Sequence, residues 1–331
     1  MKKYTISHLN KTFETINFDP SISDELCEDT RTMFFIKPNI IDVNKQIIKL
    51  YNGGFKHNLV IDYFIKEVLI TSKLNTAKWT IYEFMQSNDL MRFALTKIKN
   101  FPKVFPIKYT NAKNINTVFR IAPSGTAPKV SNFPYKVMVG ILEKYNINNN
   151  YYDYSCGWGI RLLVSLSKGV NYYGTEPNET LTIQLRKLTN HYKKIISPNI
   201  NVGIRSHGSE IFIPELENKI GLSFSSPPYY NFEDYRYKGQ STDGRDYKEW
   251  LNDYWNKTVV NIKKYLISNG YFLLNIKSIK GYDLVTDMNK IIVDNGFQFI
   301  ESFELKNINR VFLKQNDKNT NEQIYVYRKV L

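Results

Sequence analysis

Asp153-Tyr154-Ser155-Cys156-Gly157-Trp158-Gly159-Ile160-Arg161 is the stretch that decides how this chain folds. A β-like run over 151–155 leads into it, and an amphipathic helical pattern over 160–168 leads out. Glycines at i and i+2 let the backbone turn sharply and let a ligand come close to it. The helix beginning beyond them offers unpaired N–H groups, which suit a carboxylate or a phosphate. Many nucleotide-binding folds carry such a turn, and in others it is only structural. Its surroundings have to separate the two.

Downstream, short apolar runs alternate with helical patterns. Strands are expected at 151–155, 172–176, 200–205, 222–225, 271–276, 298–306 and 323–328. Helices are expected at 160–168, 179–194, 247–267 and 284–295. This alternation predicts an α/β sandwich with a mostly parallel sheet. No helix separates the last two strands, which can therefore form an antiparallel hairpin at one edge. Ligands on such sheets bind where strands end and helices begin.

Upstream the pattern is helical, over 43–51, 58–72 and 79–98, and Ser87-Asn88-Asp89 divides the last into two helices. A polar break follows near 111–135, marked by residues 111–116 and the Pro/Gly-rich 122–128. The expectation is two domains, a mainly helical region over 1–118 and a catalytic domain over 119–331. The whole chain has 331 residues and a formal net charge of +14. Its pI of 9.4 points to a polyanionic partner, although a Lys-, Asn- and Ile-rich proteome gives the same balance. The charge is uneven: residues 1–42 carry 5 Lys/Arg against 7 Asp/Glu, and residues 43–130 carry 14 against 4. Short basic helices suit a DNA-reading module, and equally a helical scaffold with solvated lysines. Cys27 and Cys156 have no paired spacing, and the four histidines form no ligand motif, so neither a disulfide framework nor a metal site is expected. No apolar run has membrane-span length, and the expectation is an intracellular protein.

Two further motifs keep company with the glycine turn. Tyr173-Gly174-Thr175-Glu176-Pro177-Asn178 puts a carboxylate at the end of the next strand, where it can accept both hydroxyls of a ribose or merely cap a helix. Ser225-Ser226-Pro227-Pro228-Tyr229-Tyr230 closes the fourth strand of this region. Two consecutive prolines stiffen the turn and remove two N–H groups, holding a polar acceptor and an aromatic ring in fixed places.

Together these residues resemble the S-adenosylmethionine (SAM)-dependent amino-methyltransferases of DNA. The glycine turn is similar to their cofactor loop, and Ser226-Pro227-Pro228-Tyr229 to their (Asp/Asn/Ser)-Pro-Pro-(Tyr/Phe) signature. The run over 226–235 with Gly157-Trp158-Gly159-x-Arg161 also resembles methylases of phage genomes. The resemblance covers about 119–331. It implies a Rossmann-like methyltransferase sandwich of seven mostly parallel strands, with SAM as cofactor and DNA as partner. Asp153, Ser155, Gly157, Trp158 and Gly159 would line the methionine end, and Arg161 would brace the loop or the methionine carboxylate. Glu176 would take the ribose, with Pro177 and Asn178 beside the adenine. Ser209 and Glu210, after the third strand, would also contact the adenine, and Phe133 would lie in the segment covering the methionine. Ser226, Pro227, Pro228 and Tyr229 would be catalytic.

The implied chemistry is methyl transfer to an exocyclic amine. Such an amine is a poor nucleophile until its two hydrogens are accepted, here by the Ser226 hydroxyl and the Pro227 carbonyl, with Tyr229 stacked on a flipped base. Ser226 stands where many adenine enzymes have Asp or Asn, which leaves adenine N6 and cytosine N4 both open. The segment 235–245 mixes aromatics, cations and glycines and can close over a strand of nucleic acid, or be an ordinary solvated loop. Tyr229 stands where ring-carbon methylation would need Cys. The remaining alternatives are an RNA or protein-glutamine amino-methyltransferase and a catalytically silent, DNA-binding subunit of the same fold.

Overall fold

A computed structural model of the chain describes residues 22–75, 77–100, 132–305 and 322–330. The expected polar break at 111–116 and 122–128, and the acidic residues before 22, lie outside the described residues. The described residues divide into two compact units.

The first unit takes residues up to Pro38, then from Glu67, and returns at Glu233–Arg236. Its helices are Asp24–Phe35, Ile81–Gln86 and Asn88–Asn100. The helix end after Gln86 falls where Ser87-Asn88-Asp89 predicts it. Thr80 and Glu83 form a reciprocal capping box that fixes the start of Ile81–Gln86. Arg31 ties the first helix to the others, donating to the Met85 carbonyl at 2.7 Å.

The strands in chain order are β1 (Lys73–Leu74), β2 (Asn150–Asp153), β3 (Asn171–Thr175), β4 (Val202–Arg205), β5 (Ile220–Ser225), β6 (Glu233–Asp234), β7 (Leu266–Ile276), β8 (Phe297–Glu304) and β9 (Gln323–Lys329). β1 and β6 form a small antiparallel pair within the first unit. The other seven make the sheet of the second unit, in the order β4-β3-β2-β5-β7-β9-β8. β2, β3, β4, β5 and β7 run parallel, and β9 lies antiparallel to both β7 and β8. The expected terminal hairpin is therefore present, with β8 at the edge and β9 inside it.

Helix Ile160–Lys168 has the bounds its sequence predicts, because Gly159 opens it and Gly169 closes it, both in the left-handed region. Helix Glu179–Ile196 returns the chain to β4, and Leu284–Asp294 leads to β8. The single helix expected over 247–267 is three pieces. Tyr247–Trp250 and Lys257–Tyr265 flank a π-helical turn, Leu251–Asn256, in which Tyr254 and Trp255 are buried. β7 starts at Leu266, five residues before the expected strand, and passes through Asn269 at φ 63°. Helices Ile40–Tyr51 and Asn58–Phe64 also belong to the second unit, where His191 of helix Glu179–Ile196 meets Asn44 at 2.7 Å.

Chain direction reverses beside β2: the path runs outward through β3 and β4, then resumes at β5 on the other side. Such a switch point opens a crevice beyond the C-terminal ends of the two central strands, and there ligands bind. The glycine turn follows β2 and the Pro-Pro turn follows β5, so both motifs stand at the switch point.

Candidate functional site

Asp153 ends β2 fully buried, and Arg161, the second residue of helix Ile160–Lys168, meets it at 2.9 Å. Tyr172 donates to the same carboxylate oxygen at 2.9 Å. Burial works against the Arg161 charge, but Asp153 beside it holds the guanidinium protonated above the ordinary range. Arg161 also donates to the Ser155 carbonyl and, at 3.0 Å, to Ser225 Oγ. Ser225 Oγ in turn donates to that carbonyl at 3.0 Å. Tyr154 reaches across to the Ser225 carbonyl at 3.1 Å. One guanidinium thus joins the glycine turn to the residue preceding Ser226. Phe133 stands beside this joint, its ring 5.9 Å from the Arg161 guanidinium and 5.2 Å from Phe224. The Arg161 bond to the Ser155 carbonyl braces the glycine turn.

Gly157 and Gly159 have φ of 55° and 78°. A Cβ on Gly159 would come within 2.8 Å of Leu185 Cδ2, so both conformation and space require glycine there. Trp158 between them is half-buried. Cys156 is buried against β3, where a Cβ on Gly174 would meet its sulfur at 2.4 Å, which makes it a small packed residue.

Glu176 follows β3 and is buried. Its carboxylate accepts the Gly157 N–H at 3.2 Å and the Asn178 N–H at 3.0 Å. Burial pushes its pKa from the ordinary 4.5 up to about 7, against the pull of those two N–H groups. The Asn178 side chain caps the next helix by accepting from Leu181 N at 3.1 Å, and Pro177 is half-buried between the two.

Beyond β4, Ser209 is buried and bonded to Thr258 at 2.8 Å. The Glu210 carboxylate folds back over Gly208, where a Cβ would overlap it at 2.0 Å. Glu210 Oε2 is buried without a hydrogen-bond partner, and so is the Tyr254 hydroxyl. Burial pushes the Tyr254 phenol up, and Ser155 and Ser209 lie beside it without completing a well-formed bond. Nothing local in the sequence marks Tyr254, because the π turn that carries it leaves no periodic signal.

The Pro-Pro turn is more enclosed than its sequence predicts. Pro227 is buried and Ser226 and Pro228 are half-buried. Tyr229 is 8 % exposed, packed in the cluster that includes Trp250 and Tyr254. Its hydroxyl donates to Glu322. The ring is therefore held edge-in by its polar end instead of standing open as a stacking platform. Tyr230 follows at φ 46°, costly for an aromatic residue, with its ring 4.9 Å from Tyr282 and 5.2 Å from Tyr247. Asn275, near the end of β7, donates to Ser226 Oγ at 2.7 Å and to Glu322 Oε1 at 2.6 Å. Neither Asn275 nor Glu322 stands out in the sequence, since each reaches the turn only through strand pairing.

The loop after this turn is folded on itself over 239–246. Asp243 accepts from the N–H of Gly239 at 2.6 Å and of Gln240 at 3.0 Å, and Arg245 donates to the Ser241 carbonyl at 2.7 Å. Tyr237 is half-buried, and burial with Glu176 nearby pushes its phenol up. Among the described residues no group of His, Cys, Asp and Glu is arranged to hold a metal ion, and no helix is long and apolar enough to cross a membrane.

No protein-family model and no curated protein matches the sequence. Among solved structures, a [4+2]-cyclase aligns at 10% identity over 60% of this chain and 81% of its own, with a TM-score of 0.44. A methyltransferase from Pyrococcus furiosus aligns at 14% identity over 60% and 84%, with a TM-score of 0.41. A SAM-dependent methyltransferase from Methanosarcina mazei aligns at 12% identity over 61% and 100%, also at 0.41. By its own strand order, five parallel strands and an antiparallel β9 set between β7 and β8, the chain has a methyltransferase-like α/β fold.

Proposed function

We propose that this chain is a SAM-dependent methyltransferase acting on the exocyclic amino group of a base, in DNA. The observation that carries the reading is the joint at the switch point, where Arg161 and Ser225 both bond to the Ser155 carbonyl. Through it the glycine turn and the residue before the Pro-Pro turn are held side by side, as a donor and an acceptor site would have to be.

The residues around the glycine turn fit the cofactor. Glu176 offers a buried carboxylate bonded so far only to backbone N–H groups, with lone pairs left for ribose hydroxyls. Glu210 Oε2 and the Tyr254 hydroxyl are buried polar atoms that lack partners, which a polar ligand would supply. The start of helix Ile160–Lys168 offers free N–H groups to a carboxylate. When bound, SAM supplies an electrophilic methyl group on a sulfonium. The chain's own part is to present the amine: Ser226 Oγ and the Pro227 carbonyl accept its two hydrogens, which favours a pyramidal nitrogen with an available lone pair. The Pro227-Pro228 pair keeps these acceptors still, so orientation is set before the substrate arrives. Tyr229, anchored through its hydroxyl, fixes the turn from behind, and its ring reaches a flipped base only if that anchor loosens. The basic stretch over 43–130 and the aromatic, cationic loop over 235–245 favour nucleic acid over a protein side chain. A DNA-reading role for the helical first unit belongs to the same proposal, with Asn39–Lys66 counted in the sheet unit and not in a region ending at residue 118.

The test is transfer of tritium from labelled SAM to duplex DNA, single-stranded DNA and RNA of defined sequence, followed by mass analysis of the nucleosides. N6-methyladenine or N4-methylcytosine from DNA is the expected product. Label in RNA alone would move the substrate class, and absence of label from every nucleic acid would end the proposal.

A further inference from the structure

The Pro-Pro turn carries no charge of its own, yet a carboxylate from the far end of the chain is bonded into it. Glu322, just before β9, accepts at Oε1 from Asn275 Nδ2 at 2.6 Å and from the Tyr229 hydroxyl. The same Asn275 nitrogen donates to Ser226 Oγ at 2.7 Å. One amide thus holds Ser226 and Glu322 side by side. Asn275 is 1% exposed, and its Oδ1 is buried without a partner, so the cluster contains an acceptor still to be filled. Ser226 and Glu322 are half-buried, whereas Asn275 is enclosed. Both bonds to Glu322 end on Oε1, and Oε2 receives neither.

The donor and acceptor pattern decides what this cluster can select. Ser226 Oγ already accepts from Asn275, so its hydroxyl hydrogen points elsewhere and suits a carbonyl as well as an amine. A carboxylate accepts only, and it repels a carbonyl oxygen. We propose that Glu322 is the specificity-determining acceptor for the target amino group, taking in place of Ser226 Oγ one of its two hydrogens, with Asn275 as the residue that positions it. It distinguishes an exocyclic amine from a ring carbonyl at the same place, cytosine from uracil or adenine from hypoxanthine. The inference rests on the reading of the chain as an amino-methyltransferase of nucleic acid. It assigns to Glu322 the negative charge that a carboxylate in the turn itself would supply.

Glu322→Gln tests it with little structural disturbance, because glutamine keeps a carbonyl Oε1 for Asn275 and Tyr229, while the other carboxylate oxygen becomes an uncharged NH2 that donates instead of accepting. The full chain, without cofactor, is titrated with oligonucleotides that carry cytosine, uracil, adenine or hypoxanthine opposite an abasic site. The wild type is expected to prefer one amino base over its carbonyl analogue by roughly 10-fold or more, and Glu322→Gln to bring that ratio near one. Glu322→Asp, which retracts the charge by one methylene, should fall between them and guards against a misfolded glutamine variant. Tritium transfer by the wild type is measured on the same oligonucleotides. Transfer with an undiminished preference in Glu322→Gln overturns this inference and leaves the methyltransferase reading standing. A wild type that neither transfers methyl nor prefers an amino base overturns both.

Discussion

Replacing Arg161 with Met removes the cation that balances Asp153 and unties the two turns at the switch point. The side chains involved are 7% and 0% exposed, so water can replace little of what is lost. Three acceptors lose one donor each: Asp153 Oδ2 at 2.9 Å and the Ser155 carbonyl, which keep Tyr172 and Ser225 respectively, and Ser225 Oγ at 3.0 Å. Deleting one member of a buried ion pair costs about 3–5 kcal/mol, mostly because a charge is left uncompensated. Tyr172 still donates to Asp153 at 2.9 Å, which puts the expected loss at the lower end, about 3 kcal/mol. Adding Asp153→Asn should then restore roughly 1–2 kcal/mol, since the stranded charge disappears with it. Urea unfolding at pH 7 reads both numbers, with the fluorescence of the buried Trp250 and Trp255 reporting on the sheet unit. A loss below about 1 kcal/mol for Arg161→Met, or a double variant no more stable than the single one, would mean that something other than the guanidinium neutralises Asp153.

Glu176, raised by burial to about 7 in the folded chain from an ordinary 4.5, binds its proton more tightly folded than unfolded. Its contribution to stability is therefore fully present below about pH 4.5 and is lost as pH rises to about 7, a change on the order of 3 kcal/mol that Glu176→Gln should abolish in unfolding curves across that window. Ribose hydroxyls donate to the ionised form, so calorimetry should find SAM affinity rising through pH 7 in the wild type and flat in the variant. Gly159→Ala and Gly169→Ala share a left-handed backbone, but only the first meets a neighbour, Leu185 at 2.8 Å. Each should lose about 1–2 kcal/mol to strain, with a further 1 kcal/mol or so at Gly159, and equal urea midpoints would refute the steric part. Tyr229→Phe should cost about 1–2 kcal/mol by removing the donor to Glu322, and Tyr229→Ala about 3–5 kcal/mol by opening a hole beside Trp250, so only the phenylalanine variant is suited to transfer assays.

The sheet unit was legible where physical constraints are local. Helix Ile160–Lys168 is bracketed by glycines whose left-handed φ no other residue adopts cheaply, and its bounds can be read to the residue. β5 is buried along its whole length, so its apolar run announces it, and the prolines after Ser226 announce its end. Legibility failed where pairing is non-local. The first residues of β7 lie outside the strand expected over 271–276, because only Leu266 pairs with β5 before the register shifts, and 267–270 pair with neither β5 nor β9. Asn275 and Glu322 are ordinary residues until β7 and β9 pair, Asn275 with Ile324, and bring them to Ser226. Tyr229 shows the same limit from the other direction. Its place in the motif is local and readable, but its burial comes from a hydrophobic cluster and from Glu322, both assembled from distant parts of the chain.

Two carboxylates close the ends of neighbouring parallel strands, and the chain treats them differently. Asp153, after β2, has a cation at 2.9 Å and a phenol at 2.9 Å, so its charge is already answered from within the protein. A ligand donor there would compete with Arg161 and would loosen the joint to Ser225. Glu176, after β3, is also buried but is answered only by two backbone N–H groups, and burial raises its proton affinity. A buried carboxylate without a cation is a standing cost to the fold. Donors that arrive from outside reduce that cost, and two adjacent hydroxyls of a ribose would do so without bringing a second charge. On the proposed reading the asymmetry gives the two acids separate work: Asp153 holds the joint to Ser225 through Arg161, and Glu176 would receive the ribose. An Asp153→Asn variant that lost SAM affinity more severely than Glu176→Gln, at equal stability, would reverse that assignment.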